Sequence, residues 1–191
     1  QWNDPMWQTA DTSLHTNYRG HPQWGIRVTG VHEFFHAIQF AMTRSYTGQN
    51  DAYLDDFPVT WLEGSAVLME QAGFADIKDY LQYADSYFSD PTLDLFTGYD
   101  DVYSSSLLLL YAYQHPSGAV RIEFTKDMFF NDYRSFIGFG DNLLLSGRQS
   151  GGSWADLLGN FHTASFFSGT RSSAASPFLA DAPRLPQWSY S

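Results

Sequence analysis

Apolar residues recur at Val28, Val31, Phe35, Ile38 and Met42, the spacing that lines one face of an α-helix. This pattern predicts a helix from Arg27 to Arg44, with Tyr46 to Asp51 as its polar exit. Residues 1–24 show no helical period and read as loop with at most a short strand. Pro58 suits the first turn of a second helix, which runs to about Gln71 with Gly73 as its cap. A third helix is expected over 76–88, with Asp76 as N-cap, Ile77, Tyr80, Leu81, Ala84 and Phe88 facing inward, and Pro91 stopping it. After an acidic loop from Thr92 to Asp101, the stretch 103–113 reads as a strongly buried helix. Ala119 to Phe130 suggests a fifth helix, although Val120, Ile122 and Phe124 alternate as a strand would. A short helix over 141–145 follows. Ser153 and Asp156 then open a last helix that presents Trp154, Leu157, Leu158 and Phe161 and ends near Gly169. Residues 172–191, rich in Ser and with three Pro, read as an extended surface tail. The expected fold is mainly α, α+β at most, in one domain over 1–191.

Composition narrows the function. A chain of 191 residues, 43% hydrophobic and 18% aromatic, can bury a substantial core. Its net charge of -11 argues against nucleic acid or an anionic membrane as partner, because only two Lys and eight Arg are scattered along it. Such acidity serves solubility, in salt or outside the cell. Without cysteine, neither disulfides nor thiolate chemistry enters. No apolar run reaches membrane-spanning length. The chain opens at Gln1 without a secretory signal, so an upstream part is expected elsewhere.

The chemistry concentrates in the first helix, where His32-Glu33-Phe34-Phe35-His36 forms the pattern H-E-x-x-H. Four residues apart, His32 and His36 stack on one side and can converge on a single metal ion. Glu33, one step around, can take a proton from water without being a ligand. Chance would produce the pattern in roughly one such chain in 250. Only 4 of the 21 acidic residues are Glu, and three of them are Glu33, Glu63 and Glu70. Glu63 follows His36 by 27 residues, enough chain for an antiparallel return that supplies a third ligand. Glu70 lies about 10 Å further along the second helix, beyond easy reach of the same ion. It suits either an outer partner that fixes a ligating ring or a solvated face. Gln39 shares the face of His36, as a substrate contact or as a polar residue finishing a buried face. His15 and His21 read as solvated, and His162 as structural.

Together, His32-Glu33-Phe34-Phe35-His36-Ala37-Ile38-Gln39-Phe40, Trp61-Leu62-Glu63-Gly64-Ser65-Ala66-Val67-Leu68-Met69-Glu70 and the helix opened by Tyr103 resemble the gluzincin metallopeptidases. The resemblance is greatest to a group of secreted bacterial metalloproteases, and it runs from about Val28 through the Trp154 helix. It implies Zn²⁺ held by His32, His36 and Glu63, Glu33 as general base, and Tyr103 as oxyanion stabiliser, with Tyr99 as fallback. It also implies a peptide or protein substrate and a secreted, extracellular location. Thermolysin-type members place an acid four positions after the third ligand, where this chain has Val67, so Glu70 becomes the candidate for that support. The upstream strand that lines the cleft in this family is expected outside this sequence. Two other readings stand beside it: a non-catalytic component of an extracellular assembly, and a zinc hydrolase acting on non-peptide amides.

Overall fold

A computed structural model describes residues 21–47, 59–90, 102–114, 154–172 and 181–187, and every regular element among them is helical. The fold is mainly α. Helix α1 spans Pro22–Thr47 and begins earlier than the apolar period suggests. Pro22 explains this, because its preset φ and missing N–H suit a first helical turn. Residues 22–24 are therefore helix rather than loop. The buried stripe of α1 is Gly25, Val28, His32, Phe35 and Gln39, while Val31 and Ile38 lie at its border. Two polar side chains thus occupy positions that a packing helix would fill with apolar ones.

Helix α2 spans Val59–Gly73 and runs antiparallel to α1. Val31 meets Gly73 near one end, and Gln39 reaches Leu62 and Ser65 near the other. Trp61, Ala66, Val67 and Leu68 of α2 are buried in the core. The helix expected over 103–113 is a turn at 102–104 followed by a helix over Ser105–Gln114. Every residue from Ser105 to Ala112 in that helix is buried, as expected of an element apolar on all sides. A Cβ at Gly64 of α2 would collide with Ser105 Oγ and lie 3.1 Å from the Ser106 backbone nitrogen. The bare glycine therefore permits the close crossing, and Ser105 Oγ ties it by donating to the Thr60 carbonyl at 2.5 Å.

The expected continuous helix over 76–88 is instead a 3-10 turn over Asp79–Tyr83 followed by a short helix, α3, over Ala84–Ser89. Lys78, not Asp76, precedes the turn, and its φ of 58° is left-handed, which interrupts any α-helix there. The Lys78 ammonium pairs with Asp181, whose carboxylate also accepts from Tyr80 Oη at 2.6 Å. This distant partner helps hold a backbone conformation that is unfavourable for a non-glycine residue. The inward positions Ile77, Tyr80, Leu81, Ala84 and Phe88 are nevertheless all buried.

With the buried helix Ser105–Gln114 taken as α4, the last long helix, α5, spans Trp154–Phe166. Its Phe161 packs between Tyr87 and Tyr111, and Tyr87 Oη lies 2.9 Å from His162 Nδ1, a structural contact. Within the stretch expected as an extended surface tail, Ala182–Arg184 form a 3-10 turn, and Leu185 just after it enters the main core. Ser168 Oγ donates to the Pro186 carbonyl at 2.5 Å, which helps tie the segment down. The elements expected over 119–130 and 141–145, and Tyr99, lie outside the described residues.

Candidate metal centre

Antiparallel packing brings the middle of α1 against the first turns of α2. His32 Nε2 lies 3.0 Å from Glu63 Oε2 and 3.0 Å from His36 Nε2, and His36 Nε2 lies 3.5 Å from Glu63 Oε2. The two imidazoles meet nearly at right angles, 84° between planes. Behind them, Glu70 Oε1 accepts from His32 Nδ1 at 2.6 Å, and Gln39 Oε1 from His36 Nδ1 at 2.6 Å. His32, Gln39 and Glu70 are buried, at 9%, 1% and 4% exposure. The imidazole of His32 therefore spans two carboxylates set two turns apart on α2, one at each ring nitrogen.

With both Nδ1 atoms facing acceptors, two Nε2 atoms and one carboxylate oxygen converge on the same point. Three such groups repel unless positive charge lies among them. A tetrahedron built on zinc bonds to nitrogen and oxygen has edges of about 3.3 Å, close to the three separations found here. The donor set is also one that zinc takes in catalytic sites. Among the described residues, this is the group of His and acidic side chains able to hold a metal ion.

The same demand for positive charge shows in the protonation of these groups. Burial draws the His32 pKa down, but hydrogen bonds to Glu63 and Glu70 outweigh it and raise the pKa to about 9. His36 is raised chiefly by its hydrogen bond to Glu63. Burial opposes ionisation of Glu63, yet the two imidazoles lower its carboxyl to about 2. In Glu70, burial raises the pKa against the pull of His32.

Tyr103 stands in the turn before α4, half-buried, with its ring 6.2 Å from that of His32. Its phenol donates to Glu63, and burial together with the Glu63 charge raises its pKa, so it remains a neutral donor. Glu33 is exposed, and its charge adds to the rise at Tyr103. Tyr83 stacks on Tyr103 at 4.6 Å and 22°. His21 is far from this arrangement in role, stacked on Trp24 at 4.2 Å. His15 lies outside the described residues.

The structure thus gathers His32, His36 and Glu63 around one point, with Glu70 behind His32 and Tyr103 beside Glu63, and leaves Glu33 exposed on α1. Two residues of the site have no role in the sequence reading: Ser65, inside the second motif, which accepts from Gln39 Nε2 at 2.9 Å, and Tyr83 behind Tyr103. The signal for Gln39 was its three-residue spacing from His36; for Tyr83 the chain carries no local signal. Compared with protein-family models, curated proteins and solved structures, the chain gives no match.

Proposed function

We propose that this chain is a zinc-dependent peptidase in which His32, His36 and Glu63 hold the ion. The observation that carries this reading is the convergence of two imidazole Nε2 atoms and one carboxylate oxygen within 3.0 to 3.5 Å. Zinc held there supplies a Lewis acid, which polarises a carbonyl and acidifies water.

The chain's own groups do the rest. Glu33, on the open side of α1, takes a proton from the attacking water as the water oxygen bonds to the peptide carbonyl carbon. As the C–N bond breaks, Glu33 returns the proton to the leaving amine. Tyr103, held neutral, turns its one hydrogen from Glu63 to the carbonyl oxygen as charge grows there. Glu70 and Gln39 touch no substrate; they keep the two rings turned. The resemblance of the two motifs to gluzincins supports a peptide as substrate, and the acidic, cysteine-free composition suits a location outside the cell.

The test pairs metal analysis with a casein or fluorogenic-peptide assay, with and without chelator. Glu33→Gln is expected to keep its zinc and to lose hydrolysis by at least about a hundredfold. Full hydrolysis by that variant removes Glu33 from its role. Zinc bound without any hydrolysis by the unaltered protein favours a non-catalytic binding component instead.

A further inference from the structure

Gln39 accepts from His36 Nδ1 at 2.6 Å while its Nε2 lies 3.1 Å from the Leu62 carbonyl and 2.9 Å from Ser65 Oγ. The orientation of this amide follows from what surrounds it. A carbonyl oxygen can only accept, so the amide end facing Leu62 must be the NH₂ group. Ser65 Oγ lies 2.8 Å from the Trp61 carbonyl and 3.2 Å from that of Leu62. Its single hydrogen is therefore directed at a backbone carbonyl, leaving a lone pair for Gln39. A reversed amide would set its oxygen against the Leu62 carbonyl and turn its NH₂ toward His36. The ring would then have to accept at Nδ1 and carry its proton at Nε2.

We infer that Gln39 and Ser65 are positioning residues through which the backbone carbonyls of Trp61 and Leu62 dictate the tautomer of His36. Both are fully buried or nearly so, at 1% and 0% exposure. The line of donors runs one way, from His36 Nδ1–H to Gln39 Oε1, from Gln39 Nε2–H to Ser65 Oγ, and from the Ser65 hydroxyl to a carbonyl. Its result, in the neutral ring, is a His36 Nε2 that carries no hydrogen and faces His32 Nε2 at 3.0 Å and Glu63 Oε2 at 3.5 Å. Because the anchoring carbonyls belong to the turn of α2 that carries Glu63, the line also sets the distance between ligands from the two helices. The two rings are held by unlike partners: an acid of α2 behind His32, a neutral amide of α1 behind His36.

This inference rests on the proposed metal site, and its test is readable without any peptide hydrolysis. Long-range ¹H–¹⁵N spectra of the metal-free full chain, in alkaline buffer where the rings are neutral, report which nitrogen of His36 carries hydrogen. The unaltered chain is expected to show the Nδ1–H form. Gln39→Leu is expected to shift His36 to Nε2–H and to weaken zinc binding about 10- to 100-fold in competition with a chromophoric chelator. Gln39→Glu restores an acceptor behind Nδ1 but sets its second oxygen against the Leu62 carbonyl, so it is expected to recover Nδ1–H without recovering the full zinc affinity. Ser65→Ala, which removes only the far link, is expected to give an intermediate loss and serves if Gln39→Leu does not fold. Nε2–H in the unaltered chain, or unchanged tautomer and zinc affinity in folded Gln39→Leu or Ser65→Ala, overturns the inference. Normal tautomer behaviour with no peptidase activity leaves it standing and overturns the proposed reaction alone.

Discussion

At the scale of single residues, the site is a matter of which atom faces which. The i, i+4 repeat places His32 and His36 side by side, yet it says nothing about which ring nitrogen points at the partner helix. That choice is made by Glu70 and Gln39, each 2.6 Å from an Nδ1. Glu70→Gln removes the charge behind His32 while retaining an acceptor, and zinc affinity is expected to fall about tenfold or more, measured by chelator competition. A second residue offers a pH test away from the metal. Asp79 is 5% exposed, its Oδ1 has no hydrogen-bond partner among the described residues, and burial raises its pKa from 3.8 to about 6. A carboxyl whose folded pKa is raised favours folding below its unfolded value, and that contribution is lost as pH rises through about 6. Asp79→Asn is therefore expected to stabilise the protein above pH 6 by on the order of 2 kcal/mol, with the gain shrinking toward pH 4. Urea midpoints at several pH values give the difference, and a gain independent of pH contradicts the assignment.

At the scale of elements, the crossing of α2 and α4 sets where Glu63 sits. Glu63 adjoins Gly64, and the missing side chain at Gly64 lets Ser105 approach. Gly64→Ala is expected to force Ser105 off the Thr60 carbonyl and to cost about 1–3 kcal/mol of stability, as overpacking does. Combining it with Ser105→Gly should return part of that loss, which a double-mutant cycle by thermal melting measures. The apolar spacing of α1 was legible in the sequence, and so was the burial of Leu107 to Leu110. The break at Lys78 was not legible. Residues 76–88 carry a helical period, but the left-handed Lys78 is held by Asp181, more than a hundred positions away. Local periodicity cannot register a partner so distant.

At the scale of the molecule, residues 181–187 belong to the fold that supports the site. Asp181 ties Lys78 and Tyr80 to this segment, and Leu185 enters the core shared by α2 and α4. Asp181→Ala leaves a fully buried tyrosine without this acceptor and a lysine without this partner. It is expected to lower stability by on the order of 2–3 kcal/mol, seen as a fall in the urea midpoint. Unchanged stability would reduce the segment to a surface decoration. No helix among the described residues is long and apolar enough to cross a membrane.

The sequence by itself determined the helical character of these segments, the shared side of His32 and His36, and the two-turn separation of Glu63 and Glu70. Those follow from the fixed repeat of the backbone, which any local stretch of side chains must obey. Only the tertiary structure decided that α1 turns His32 and Gln39 inward, that Glu63 and Glu70 meet opposite nitrogens of one ring, and that Asp181 returns to Lys78. Such choices depend on how helices from distant parts of the chain fill a common interior and satisfy their buried polar atoms.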